Sequence, residues 1–450
     1  MIDVGRFSRA KRFVLASALA FACACPAFAE EEAGAPAGIL PIPDYKSDIW
    51  NREYLTGDWG GKRTEWANKG FQFDVDSFQW FDSVTDGGKS EDTEWGGNLT
   101  YNIEWDLMRA GLVPGALIQI RAESRYGNSA VFDTGQVQPT NTGSLSPTNY
   151  SEFDDGYDLA LTQFSYLQML SPHFGMLVGK LDLYGDGDLN EFTSGRGRTG
   201  FSMWSMAFPT GAIFVPATTF GVGAVYMPSE YLTISSLVLN GVECTSGNCL
   251  DDLYDDNGGI SATSVNWQYS LGGKPGGISG SYLYFFDADF TELGTVLPVP
   301  DEGLVASSKS SQWQVAASFW QYLSVLEPHE GPVHLNNREP DLRGWGIFAR
   351  FGVNDDSVNP WATTVSVGVG GRGVVPSRPN DIFGVGYYYA DLSDERTLTD
   401  DFEDPEGVEA FYKLAITPAL KFSLNLKYIA ASEPGIDDAT MVSGYLQMIF

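Results

Sequence analysis

Past residue 29 the chain has no run of about 18 apolar residues, so no segment there can cross a bilayer as a helix. It has only three histidines, His173, His329 and His334, and four cysteines, of which Cys23 and Cys25 lie near the start. Basic residues are scarce: 27 Lys and Arg stand against 58 Asp and Glu, a net charge of −31. Each shortage removes a class of function. The excess of acid leaves no basic patch to neutralise phosphate, so no nucleic acid is expected as a partner. In His329-Glu330-Gly331-Pro332-Val333-His334 the spacing misses the zinc pattern by one residue, and Pro332 would break the helix that pattern needs. Asp186-Gly187-Asp188-Leu189-Asn190 begins like a calcium loop, but Glu191 stands where the glycine belongs and Gly197 where the closing acid belongs. No G-x-S-x-G nucleophile elbow occurs. On these grounds no catalytic residue, metal or cofactor is expected.

What remains is apolar and aromatic. Hydrophobic residues make up 43% and aromatics 14%, too much for a solvated acidic tail, and 51 glycines favour an all-β chain. Arg6, Arg9, Lys11 and Arg12 precede an apolar run from Phe13 to Ala22, and Ala27-Phe28-Ala29 is a small-x-small cleavage site. Residues 1–29 therefore read as a signal peptide, and the residues before Cys23 fit a lipidation site poorly. In an exported chain, Cys244 and Cys249 are expected to close a small disulfide loop. Residues 30–70 form a leader, with a short helix from Lys62 to Lys69 stopped by Gly70, and Lys62 and Arg63 pair with local acids or anchor that helix.

From Phe71 to Phe450 one pattern repeats. In Asn98 to Leu107, Leu99, Tyr101, Ile103, Trp105 and Leu107 face one way, and Asn98, Thr100, Asn102, Glu104 and Asp106 the other. Such segments are about ten residues long, the length of a tilted membrane-spanning strand. Sixteen are expected: 71–81, 96–107, 116–125, 157–170, 174–183, 218–227, 231–240, 262–271, 277–290, 311–320, 342–353, 361–370, 381–391, 409–416, 420–430 and 440–450. Short turns at 171–173, 228–230, 272–276 and 417–419 alternate with long connections at 126–156, 184–217, 241–261, 291–310 and 392–408. That asymmetry suits a barrel with both termini in the periplasm. Residues 321–341 break it, being long where a short turn is expected. The chain ends on Met441 to Phe450, with Val442, Leu446, Met448 and Phe450 on one face and Ser443, Tyr445 and Gln447 on the other. This strand is expected to pair with the first and close a 16-stranded antiparallel transmembrane β-barrel. Phe450 is expected to serve the barrel assembly machinery.

The sequence resembles the carbohydrate-selective porins of the OprB family. The resemblance rests on Leu55-Thr56-Gly57-Asp58-Trp59-Gly60-Gly61 with Arg63 and Lys69-Gly70, on Gly179-Lys180-Leu181-Asp182 followed by Asn190-Glu191-Phe192, on Gly370-Gly371-Arg372 through Asp381-Ile382-Phe383-Gly384-Val385-Gly386, and on Glu409, Tyr412, Ile416-Thr417-Pro418 and Phe450. It implies a bacterial outer-membrane barrel through which sugars diffuse passively, embedded among outer-membrane lipid and lipopolysaccharide. Likeness to other 16-stranded porins implies a homotrimer.

A pore for neutral sugars needs fixed donors and acceptors along its wall. By strand parity, Glu104 and Asp106 face inward on the second strand, and Gln119, Arg121 and Glu123 on the third. Arg350 faces inward on the eleventh, and Glu409 and Lys413 on the fourteenth. The third outer loop, 184–217, with Asp186, Asp188, Glu191, Arg196 and Arg198, is the candidate constriction by analogy. An inward charge on such a wall is more often a solvated or ion-paired lining residue than a substrate contact. Acidic loops 86–94, 251–256 and 400–406 read as solvated faces, with divalent-cation binding at the cell surface as the alternative. Two other functions fit the same pattern: a general or cation-selective porin without a sugar site, and a barrel enzyme of the outer membrane.

Overall fold

The computed structural model describes residues 37–136, 159–183, 190–193, 200–207, 215–245, 247–250, 253, 258–299, 303–329, 331–333, 339–399 and 401–450. The expected signal peptide, Asp186, Asp188, Arg196, Arg198 and most of loops 126–156 and 251–256 lie outside them. Sixteen antiparallel strands close into one barrel. They are β1 (Phe71–Gly88), β2 (Thr93–Asp106), β3 (Ala116–Gly127), β4 (Ala160–Ser171), β5 (Phe174–Asp182), β6 (Thr218–Ser229), β7 (Leu232–Asn240), β8 (Gly259–Leu271), β9 (Lys274–Phe286), β10 (Gln312–Val325), β11 (Gly344–Asn354), β12 (Trp361–Arg372), β13 (Ile382–Leu392), β14 (Glu406–Thr417), β15 (Leu420–Ile429) and β16 (Asp437–Ile449). Each falls on one of the sixteen expected segments. Two short ladders, Phe290–Thr291 with Ser308–Lys309 and Leu297–Val299 with Gly303–Val305, decorate the loop after β9.

Alternation sorts each strand between lipid and lumen. On β15 the exposed Phe422, Leu424, Leu426 and Tyr428 point out, and the buried Lys421, Ser423, Asn425 and Lys427 point in. Exposed aromatics gather toward opposite strand ends: Trp95, Tyr126, Tyr284 and Tyr428 at the long-loop end, Trp105, Tyr226, Trp267 and Trp345 at the other. Rings with an apolar body and a polar edge suit the two membrane interfaces.

The barrel seam is closed by β1 and β16, in register from Asp76 opposite Ile449 to Val84 opposite Met441. Beyond the strand, Phe450 exchanges backbone hydrogen bonds with Val75. The leader clasps this seam. Its helix α1 (Lys62–Asn68) is followed by Gly70 at φ 85°, where a Cβ would lie 2.2 Å from the Asp106 carbonyl oxygen. Arg63, just inside the helix, is 3% exposed. Its guanidinium lies 4.4 Å from each of the rings of Tyr45 and Tyr54 and 5.0 Å from that of Trp59. It donates to the carbonyl oxygens of Phe73 at 2.6 Å and Phe450 at 3.4 Å, joining the first strand to the last.

Among its described residues, the segment 321–341 adds no further strand to the barrel. β10 extends to Val325, and the described residues of 326–343 form a long turn. The turn is pinned to the barrel rim by Gln268, whose amide donates to Val333 O at 3.1 Å and accepts from Val333 N at 2.8 Å.

Candidate pore constriction

The described parts of the third outer loop lie inside the barrel. Their apolar side chains rest on inward positions of the far wall, which only a loop turned into the lumen can reach. Asn190 donates to Ser318 Oγ at 2.9 Å and Phe319 O at 3.0 Å on β10. Phe192 packs against Tyr322, and Phe201 against Phe348 and Phe411, all edge to face with centroids 4.9–5.3 Å apart. The seat for these rings is made by glycine. Gly346 on β11, Gly368 and Gly370 on β12, and Gly384 and Gly386 on β13 fall side by side on the inner face. A Cβ on Gly370 would lie 2.8 Å from that of Phe192, and one on Gly384 would lie 2.7 Å from the ring of Phe201. The stretch 370–386, which carried part of the family resemblance, thus includes three of the seat's five glycines.

Buried polar groups complete the dock. Glu409 is fully buried and accepts from Ser202 N (2.9 Å), Ser202 Oγ (2.8 Å), Met203 N (2.9 Å) and Asn425 Nδ2 (2.6 Å). Arg350 donates to Met206 O at 2.6 Å, at the short helix α2 (Trp204–Ala207). Tyr445 of the closing strand donates to Ser202 Oγ at 3.1 Å and receives a hydrogen bond from Lys427 at 2.9 Å. Glu191 accepts from the Tyr322 hydroxyl at 2.6 Å and from Asp341 N at 2.7 Å. Burial pushes its carboxyl up to about 8, against the partial opposition of the Tyr322 hydrogen bond.

The wall away from the dock carries a hydrogen-bonded polar rail. Asn102 Nδ2 donates to Asp74 at 2.9 Å, Arg121 Nε donates to Asn102 Oδ1 at 3.1 Å, and Arg121 Nη1 reaches Asp182 at 3.1 Å. Glu104 and Gln119 are cross-strand partners one step along, both partly exposed. Gly179, at φ 143°, breaks the alternation of β5 just ahead of Lys180. Lys180 then donates to the carbonyl oxygens of Cys244, Thr245 and Gly247, within the loop closed by the Cys244–Cys249 disulfide.

The candidate residues from sequence thus divide. Glu104, Gln119 and Arg121 lie together along the rail. Glu123 is buried beside them and accepts from Asn98 at 2.9 Å. Asp106 accepts from Ile39 N at 2.6 Å and Leu40 N at 3.0 Å, so it holds the leader. Glu409 and Arg350 hold the inner loop, and Lys413 donates to Gln447 at 2.8 Å. Arg196 and Arg198 lie outside the described residues. Sequence reasoning missed Asp74, Asn102 and Asp182, although Asp74 and Asn102 sit on the inward parity of their strands. It also missed the glycine seat, whose signal was glycine at inward positions on neighbouring strands.

Residues 90–448 match the model of the carbohydrate-selective porin, OprB family. This chain belongs to that family. It is 23% identical to Porin B of Pseudomonas aeruginosa, over 89% of this chain and 92% of that one. It is 22% identical to a putative porin QuiX of Acinetobacter baylyi, over 90% and 95%. The high-pH structure of Pseudomonas putida OprB superposes with a TM-score of 0.71 at 18% identity, covering 90% of this chain and 100% of that one. As an OprB-family porin, the protein is a non-enzymatic channel of the bacterial outer membrane through which sugars diffuse.

Proposed function

We propose that the inner loop docked on β10–β14 narrows this porin, and that sugar hydroxyls pass along the rail opposite. The observation that carries the reading is the fixed chain Asp74–Asn102–Arg121–Asp182, with Glu104 and Gln119 beside it. A sugar crossing the constriction exchanges water for carboxylate acceptors and guanidinium or amide donors one at a time. No contact is strong enough to hold it, so it leaves as readily as it enters. The acid excess raises the local concentration of cations and lowers that of anions. Single-channel recording with glucose or maltose tests this. Arg121→Gln is expected to weaken sugar block about tenfold, equivalent to losing about 1.4 kcal/mol. A channel that no sugar blocks, with strong cation selectivity in its reversal potential, would favour the general porin instead.

The signal peptide, residues 1–29, is read as removed on export, and sequencing the N-terminus of the mature protein checks it. A homotrimer is supported by one feature of the outer face. Gln79 points toward lipid near the middle of β1, between Ser77 and Phe81 and across from Leu446. An amide in hydrocarbon is costly without a partner, and a neighbouring subunit would provide one. Native mass analysis in detergent giving a single-chain mass would overturn the trimer. Lipopolysaccharide would meet the girdle at the long-loop end, and Phe450 would be the residue read during assembly.

A further inference from the structure

At the short-turn end of the barrel, the leader and Glu339 and Asp341 of the long turn border a half-open chamber of about 750 Å³. Its volume lies within the range of small-molecule sites, about 300–1,000 Å³. We infer that this chamber is a second sugar subsite, at the periplasmic exit, which holds one or two pyranose rings of a neutral saccharide after they clear the inner loop. The inference rests on the sugar-porin reading and adds a separate site to it.

The lining has the three properties such a ligand needs. Acceptors come from opposite sides: Asp44 and Glu53 from the leader, Glu104 from β2 and Asp341 from the turn. Donors are fixed among them. Arg372 is held flat by bonds from Nη2 to Asn380 Oδ1 at 2.9 Å and from Nη1 to Pro340 O at 3.2 Å, and Lys421 pairs with Glu339. An apolar floor of Leu40, Ile42, Pro43 and Pro418 meets the C–H faces of a ring. A site for a metal ion would concentrate carboxylates on one point, whereas here both signs alternate with amides and apolar carbon.

The chamber is also preorganised. Its leader wall is clamped by Asp106, which accepts from Ile39 N and Leu40 N, and by Arg109, which donates to Leu40 O at 2.7 Å. Gln72 adds a bond to Pro41 O at 2.8 Å. These bonds explain why Asp106, inward by parity, serves the leader: it builds the exit wall. Little ordering is left for a ligand to drive, which favours weak but specific contact.

The test uses the full mature chain in planar bilayers, with channels inserted from one side and maltose added to one compartment at a time. The variant Asp341→Asn, away from the rail, removes one acceptor's charge without changing side-chain size. The expected result is a fivefold or greater loss of block by maltose added on the periplasmic side, with block from the outer side unchanged. Glu53→Gln, on the leader and away from strand pairing, should shift the same readout in the same direction. Heat-modifiable migration on gels confirms that each variant is a folded barrel. Wild-type block from both compartments in the variants overturns the exit site. So does an equal loss from both sides, or a change in cation selectivity with maltose block intact. Absence of maltose block in the wild-type channel from either side overturns the sugar-porin reading and the exit site together.

Discussion

Replacing Glu409 by alanine should loosen the inner loop without opening the barrel. The carboxylate accepts four hydrogen bonds, three of them from Ser202 and Met203 of the loop. Its removal strands the two backbone amides in a buried site, at about 1–3 kcal/mol each. The Ser202 hydroxyl can turn to Tyr445, which already lies 3.1 Å away. The docking equilibrium should therefore weaken by about 2–6 kcal/mol, or between one and four decades at about 1.4 kcal/mol per decade. Phe192 and Phe201 on the glycine seat resist release, because a buried ring contributes about 1.5–3 kcal/mol. The expected channel is noisier, visits states of higher conductance, and shows weaker sugar block. Glu409→Gln keeps one acceptor and should fall between. Strand pairing from β13 to β15 does not depend on this side chain, so the melting of the barrel itself should change little. Wild-type conductance, noise and sugar block in the alanine variant would refute the claim that this carboxylate holds the loop.

Three further outcomes follow from the same geometry. Arg63→Ala removes the bonds to Phe73 and Phe450 and the contacts with three aromatic rings, and should lower the temperature at which the folded band converts on gels; Arg63→Lys, lacking the planar fork, should restore only part. Gly384→Leu places carbon where Phe201 sits and should push the inner loop off its seat, read as raised conductance, while the same change at an open turn glycine, Gly272, should leave conductance unchanged. Glu191 has a carboxyl held up to about 8, so the folded loop binds a proton that the released loop gives up; docking is fully supported below about 4.5 and loses that support as pH rises toward 8. Channel noise should grow across that window and become flat with pH in Glu191→Gln.

Period-two alternation from Phe71 onward was enough to find every barrel strand, because lipid on one side and water on the other demand opposite side chains at successive residues. The same parity put Glu104, Gln119 and Arg121 on the lumen wall, where they lie. It said nothing about what would later cover an inward residue. Glu409 and Arg350 point inward as parity requires, yet a loop more than 140 residues earlier in the chain lies over them. Asp106 points inward and is taken by the leader. The turn 326–343 is long where a short one is expected, and its reason lies on β8, at Gln268, and in the chamber it borders. Each strand's two faces were thus decided locally, by the side chains on it. The seat of the inner loop was decided by register, which sets glycines from three strands beside one another and leaves room for two rings that no single segment could hold.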